Sequence, residues 1–209
     1  MAIPTLLNIG SGKSFLPQAL NVDVGARWQP DIVADLEQPF PAGPDAIYET
    51  VRFGPIRLRP GSFTHIVAFD VLEHLRDLTT CMTSCLQLLA PEGEFIIQVP
   101  YELSLGAWSD PTHVRAFNER SWVYYTAWAW YLGWTEAHFE LADLRFDLSP
   151  AGQQLAQQGK PIEELLPIPR AVDSMRATLR KKVYTPEQQR QVREFLAGQG
   201  TRPVPVLTR

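Results

Sequence analysis

Short apolar runs closed by a glycine, an acid or a proline recur along the first half of the chain. Residues 5–9 run into Gly10, residues 19–23 end on Asp23, residues 31–34 meet Asp35, residues 65–69 meet Asp70, and residues 94–99 meet Pro100. Runs this short, bounded by turn-forming residues, predict buried strands. Helical or loop connections between them predict a mainly parallel sheet whose carboxyl edge carries the polar closing residues. One connection is plainly helical: Leu78, Met82, Cys85, Leu86 and Leu89 fall on one face, and Pro91 and Gly93 stop it. Residues 37–62 are rich in proline and glycine and read as a surface excursion with a short helix around residues 45–51.

Beyond Pro100 the pattern changes. Residues 108–134 are crowded with aromatic side chains, and Asn118 is expected to cap a helix that runs to about Leu132 and ends at Gly133. Most of these rings read as core, with Tyr101 and Trp108 expected to face a pocket. Residues 136–148 and 172–183 alternate and predict a sixth and a seventh strand, separated by a polar excursion over residues 149–170. Thr185-Pro186-Glu187-Gln188 is a capping-box helix start with proline at the first helical position.

The 209 residues, 45% of them apolar, support one core and a single domain over residues 1–209. A net charge of -4 without a basic stripe argues against a nucleic-acid partner. No apolar run approaches the ~18 residues of a membrane span, and no secretory leader pattern opens the sequence. A cytoplasmic protein without a membrane partner is expected. Cys81 and Cys85 read as buried apolar residues rather than a disulfide or metal pair. Oligomeric state is not legible.

The chemistry concentrates in residues 6–23: strand, Gly10-Ser11-Gly12 turn, short helix, strand, Asp23. This is the opening of a nucleotide-binding α/β unit, in which the glycines admit a ligand close to the backbone and the acid accepts from ribose hydroxyls. A phosphate-binding P-loop requires a glycine five positions before Gly12, and Leu7 stands there. A dinucleotide fingerprint requires a third glycine where Phe15 stands. The remaining reading is a ligand with adenosine but no phosphate, with Asp35 placed to accept from the adenine amino group and Leu36 to touch the ring.

These residues resemble a known family. Leu7-Asn8-Ile9-Gly10-Ser11-Gly12, Asn21-Val22-Asp23, Asp31-Ile32-Val33-Ala34-Asp35-Leu36, Asp70-Val71-Leu72-Glu73-His74-Leu75 and Leu89-Ala90-Pro91-Glu92-Gly93-Glu94-Phe95 look like the ordered motifs of class I S-adenosylmethionine-dependent methyltransferases. Asp110-Pro111-Thr112-His113-Val114-Arg115-Ala116-Phe117 resembles a segment of a bacterial subgroup that modifies surface glycans or small metabolites. The resemblance implies a Rossmann-like α/β fold, a mainly parallel seven-stranded sheet of order 3-2-1-4-5-7-6 with strand seven antiparallel and helices on both faces. It implies S-adenosyl-L-methionine as cofactor and S-adenosyl-L-homocysteine as product. Asn8, Ile9, Gly10, Ser11, Gly12, Asp23, Val24, Asp35, Leu36, Asp70 and Val71 fall at its cofactor positions.

The implied activity is methyl transfer to oxygen or nitrogen of a small-molecule or glycan acceptor. His113 is the candidate base, with Asp110 to orient its imidazole and Arg115 to hold an anionic acceptor or pair with Asp110. The bland counterpart is a structural turn built by Asp110 and Thr112. Asp70, Glu73 and His74 put three oxygen and nitrogen donors on neighbouring turns. Some members that methylate aromatic hydroxyls hold magnesium on such a set, but in most the Glu-His pair is structural, so no metal is assigned. The alternatives in other classes are a non-catalytic cofactor-binding or scaffold protein of the same fold and, less favoured, a P-loop-like nucleotide hydrolase.

Overall fold

In the computed structural model, which describes residues 3–43 and 45–200, the apolar runs assemble into one sheet beside a small hairpin. The strands are β1 (Leu6–Ile9), β2 (Leu20–Asp23), β3 (Ile32–Val33), β4 (Ile47–Thr50), β5 (Gly54–Arg57), β6 (Phe63–Phe69), β7 (Leu89–Pro100), β8 (Ala137–Leu148) and β9 (Val172–Val183). The sheet order is β3-β2-β1-β6-β7-β9-β8, and β9 runs antiparallel to both its neighbours. Counted over the seven sheet strands alone, this is the expected order with the seventh reversed. Leu7, Ile66, Phe95, Ile97, Leu179 and Phe139 lie at the centre of the core, each wholly buried. No helix among the described residues is long and apolar enough to cross a membrane.

The α-helices are α1 (Leu78–Leu88), α2 (Gly106–Ser109), α3 (Pro150–Gln157), α4 (Ile162–Leu165) and α5 (Pro186–Leu196). Asp77 caps α1 by accepting from Thr80 N, and Leu78, Cys81, Met82, Cys85 and Leu86 are buried. Both cysteines are free and buried, as their apolar setting requires. α1 ends one residue earlier than its apolar face suggests, because Leu89 is already extended as the first residue of β7; Pro91 and Gly93 lie inside that strand. α5 carries the full capping box between Thr185 and Gln188.

Three expected helices take other forms. Residues 45–51 contribute to the β4–β5 hairpin, because Ile47 and Tyr48 pair with Arg57 and Ile56 and Gly54 turns the chain at φ +67°. The aromatic segment is a chain of turns ending in a 3-10 turn, Ala129–Leu132. Most of its backbone bonds span three residues, as in Tyr125 N to Trp122 O and Tyr131 N to Trp128 O, while Trp128 N reaches back five to Val123 O. Bulky rings disfavour an α-helix, and here ring contacts set the path: Phe117 stacks on Trp122 at 5.6 Å, and Trp134 meets Phe139 edge-on at 5.9 Å. The polar excursion over 149–170, by contrast, contains α3 and α4.

The third departure shapes the site. Residues 10–19, between β1 and β2, form turns and no helix. Side chains do the work of the missing helical bonds. Asn8 Nδ2 donates to Ser14 O and to Asn21 Oδ1, and Asn21 both accepts from Leu16 N and donates to Leu16 O. Arg52, at the tip of the hairpin, donates to Pro17 O at 2.6 Å and to Ala19 O, and forms a fork with Asp31, whose Oδ1 it meets at 2.6 Å. Its guanidinium lies 4.7 Å from the ring centres of both Phe15 and Phe53. Burial alone would raise the Asp31 carboxyl; hydrogen bonds from Arg52 and Asn21 outweigh it and hold it below its ordinary value.

Arg52→Ala is therefore expected to destabilise the fold by about 2–3 kcal/mol in urea unfolding, less than for a fully buried pair because the Arg52 side chain is 29% exposed. A second expectation concerns pH. Burial depresses His138 to about 4, so the unfolded chain binds a proton there that the folded chain refuses. Stability should fall as pH drops from about 6.5 towards 4, and His138→Gln should flatten that part of a thermal-midpoint profile.

Candidate active site

The turn after β1 is built for close approach. Gly10 and Gly12 have φ of +60° and +42°, and a Cβ on Gly10 would stand 2.4 Å from Val71 Cγ2. Glycine is required at position 10 on both counts. Asp23 closes the turn from the tip of β2: Oδ2 accepts from Gly12 N at 2.8 Å and Oδ1 from Gly25 N at 2.7 Å. Each carboxylate oxygen keeps a lone pair for a further donor. Ser11 Oγ is buried in the turn without a hydrogen-bond partner.

Val71 links this turn to a second group of side chains. It packs on Gly10 and leads directly into a 3-10 turn, Leu72–His74. Asp70 follows the end of β6, Glu73 and His74 lie within that turn, and His113 comes against them from the segment after α2. Asp70 sits at φ +55°, and partial burial raises its carboxyl against the pull of His113 and His74. Glu73 is 1% exposed, and neither carboxylate oxygen has a hydrogen-bond partner. Burial pushes it up to about 7, with the charge of Asp70 acting in the same direction. His113 Nε2 lies 4.0 Å from Glu73 Oε1, and its ring meets His74 edge-on at 4.7 Å.

The remaining residues singled out from the sequence fall into place as follows. His113 Nδ1 donates to Ala107 O at 2.9 Å, so a backbone carbonyl rather than Asp110 orients the ring. Asp110 instead accepts from both the amide and the hydroxyl of Thr112, and these bonds hold its carboxyl below the ordinary range. Arg115 donates to Leu75 O and Arg76 O and ties its segment to the chain after His74, rather than pairing with Asp110. Asp35 accepts from Glu37 N in an exposed local turn, and Leu36 is buried in the core. Asn8 and Ile9 are buried beneath the glycine turn, whereas Val24 is 70% exposed beyond Asp23. Tyr101 is buried and donates to Glu119, lining a separate cavity of about 500 Å³ with Glu102 and Glu163, while Trp108 is 62% exposed on α2. Glu73 is the candidate that the sequence left among structural residues. Its signal lies in tertiary structure, because burial without a partner cannot be seen in Glu-His alone.

Residues 7–97 match the family model described as a methyltransferase domain. No curated protein matches the chain. Among solved structures, an S-adenosylmethionine-dependent methyltransferase from Archaeoglobus fulgidus is 16% identical, with a TM-score of 0.54 over 85% of this chain and 86% of that one. A putative methyltransferase from Haloferax volcanii, solved with the Trm112 methyltransferase activator, is 12% identical, with a TM-score of 0.52 over 86% and 82%. A putative S-adenosylmethionine-dependent methyltransferase from Listeria monocytogenes is 10% identical, with a TM-score of 0.50 over 85% and 90%. At these identities the likeness is one of fold.

Gly10→Ala should put a methyl group into Val71 and a disfavoured backbone region at once. A loss of about 2–4 kcal/mol in unfolding free energy is expected, with Val71→Ala in the same chain recovering part of it.

Proposed function

We propose that the chain, whose residues 7–97 match a methyltransferase-domain model, is an S-adenosylmethionine-dependent methyltransferase that acts on a hydroxyl, or a nitrogen, of a small-molecule or glycan acceptor. The observation that supports this reading is the packing of Val71 on Gly10, because Val71 leads into the turn that bears Glu73, whose Oε1 lies 4.0 Å from His113 Nε2.

The residues present fit the cofactor. Gly12 leaves room for its amino-acid part, since a Cβ there would meet nothing nearer than 3.8 Å, the buried and unpartnered Ser11 hydroxyl offers a polar contact, and the spare lone pairs of Asp23 suit ribose hydroxyls. When bound, S-adenosylmethionine supplies a methyl group already activated on a sulfonium. The protein is left to align the acceptor, exclude water and take up a proton, of which alignment alone is worth several kcal/mol, of order 7 or more. His113 Nδ1 donates to a carbonyl, so its Nε2 carries the lone pair and is the proton acceptor for a hydroxyl substrate. Trp108 and Leu105, both exposed, flank Ala107 on the segment that holds His113. An exposed indole beside the reacting edge suits a sugar or aromatic ring.

His113→Ala should lower turnover about 100- to 10,000-fold while leaving the affinity for S-adenosylhomocysteine within about twofold by calorimetry. The acceptor is found by following labelled methyl from S-adenosylmethionine into fractions of cell extract. Unchanged turnover of His113→Ala on that acceptor would remove His113 from the base role.

A further inference from the structure

Three donor atoms, one each from Glu73, His74 and His113, lie within 4.8 Å of one another. We propose that these three side chains bind a divalent transition-metal ion of the zinc kind, through two imidazole nitrogens and one carboxylate oxygen, with open positions towards the acceptor. Its bearing on methyl transfer rests on the function proposed above; binding of the ion does not. With the ion bound, His113 Nε2 is a ligand rather than the base, and the ion would acidify an acceptor hydroxyl so that solvent takes its proton; His113 is the base only in the ion-free chain.

Both imidazoles are set to offer Nε2. His113 Nδ1 lies 2.9 Å from Ala107 O, and a carbonyl only accepts, so the hydrogen is on Nδ1 and the lone pair on Nε2. His74 Nδ1 lies 2.9 Å from Thr112 Oγ1, and that hydroxyl already gives its hydrogen to Asp110 Oδ1 at 2.6 Å. The Thr112 oxygen therefore accepts from His74, which again leaves Nε2 free. A metal-binding histidine is ordinarily held in this manner, by a carbonyl or by a chain that ends in a carboxylate. The roles that the sequence suggested for Asp110 are thus redirected to His74.

The third donor has no hydrogen-bond partner from another residue. A buried carboxylate without hydrogen bonds is costly unless it is protonated or meets a cation, and Glu73 is 99% buried with both oxygens unpaired. Asp70 places a second negative charge beside the same cluster. The two segments that carry the donors are also stitched together. Val114 N donates to Glu73 O at 2.9 Å, and Arg115 donates to Leu75 O and Arg76 O.

Ligand atoms on one tetrahedral ion, with bonds of ~2.0–2.1 Å, stand about 3.3 Å apart. The present 4.0 Å between His113 Nε2 and Glu73 Oε1, and separations of up to 4.8 Å within the set, need contractions of about 0.7–1.5 Å, which rotation of the side chains supplies. The donor types choose the ion. Magnesium and calcium favour all-oxygen shells, whereas imidazole nitrogen favours zinc, iron, cobalt or nickel. The set is not the run Asp70-x-x-Glu73-His74 but one completed by His113, 39 positions after His74, so only the tertiary structure assembles it.

The full chain, stripped with a chelator, is titrated with Co2+ as an optical probe, with Zn2+ and Mg2+ by calorimetry, and separately with S-adenosylhomocysteine. One ion per chain is expected, with a cobalt ligand-field band that Zn2+ displaces and much weaker binding of Mg2+. Glu73→Gln and His113→Ala should each weaken Zn2+ binding at least about 100-fold, and Thr112→Val about 10-fold through the orientation of His74. Glu73→Gln removes an unpaired buried charge, so it should fold at least as well as the parent without ion, which circular dichroism checks. Absence of a stoichiometric ion, Zn2+ binding undiminished in both variants, or preference for Mg2+ regardless of His113 would overturn the site. Cofactor binding separates the two readings: an unaltered chain that takes S-adenosylhomocysteine but no ion loses only the metal site. One that takes the ion but not S-adenosylhomocysteine loses only the methyl-transfer reading.

Discussion

The buried carboxylate of Asp31 holds the cofactor edge in shape. A crossover helix between β1 and β2 would satisfy its own backbone groups, but the ten residues from Gly10 to Ala19 form no helix. Their polar groups must therefore find partners elsewhere. Asp31 supplies the centre of that arrangement: it accepts from Asn21 N and Nδ2 on one side and from the Arg52 fork on the other. Arg52 then reaches the carbonyls of Pro17 and Ala19, and Asn21 those of Leu16 and Ala19. Hairpin, crossover and the start of β3 are joined through one carboxylate.

This explains why a short crossover still presents a formed glycine turn. Its position is set from outside, by Asn8 and Asn21 below it, Asp23 beside it and Val71 against Gly10. The last contact matters most for function, because the residue that fixes the turn also begins the segment bearing Glu73 and His74. A change of packing at Val71 acts on both halves of the site.

At the other half, desolvation and charge oppose one another. Glu73 is raised to about 7 by burial, while Thr112, Ala107 and Asp110 hold two imidazoles in place with their Nε2 atoms free. The hydrogen bonds of this region serve the histidines and leave the carboxylate bare. That asymmetry is what distinguishes the cluster from a structural polar network, in which each buried group has a partner.

The strands themselves, the glycine turn and Asp23 were legible in the sequence, because each is a local signal: an apolar run of strand length, a glycine before a polar tip, an alternating segment; the strand order and the reversed last strand were implied only by the family resemblance. The capping box at Thr185 and the apolar face of α1 are of the same kind. Residues 45–51 and 118–132 were not legible as a hairpin and as turns, since pairing of Ile47 with Arg57 and stacking of Phe117 on Trp122 are contacts that override local preference. The same reason governs the site. The family resemblance put His113 in the acceptor segment of a methyltransferase-like sheet and left the pair Glu73-His74 as structural. Only the tertiary structure decided that Ala107 and not Asp110 orients His113, that Arg115 is spent on backbone carbonyls, and that Glu73 is buried without a partner against His113, because burial and hydrogen-bond partners are properties of neighbours far away in the chain.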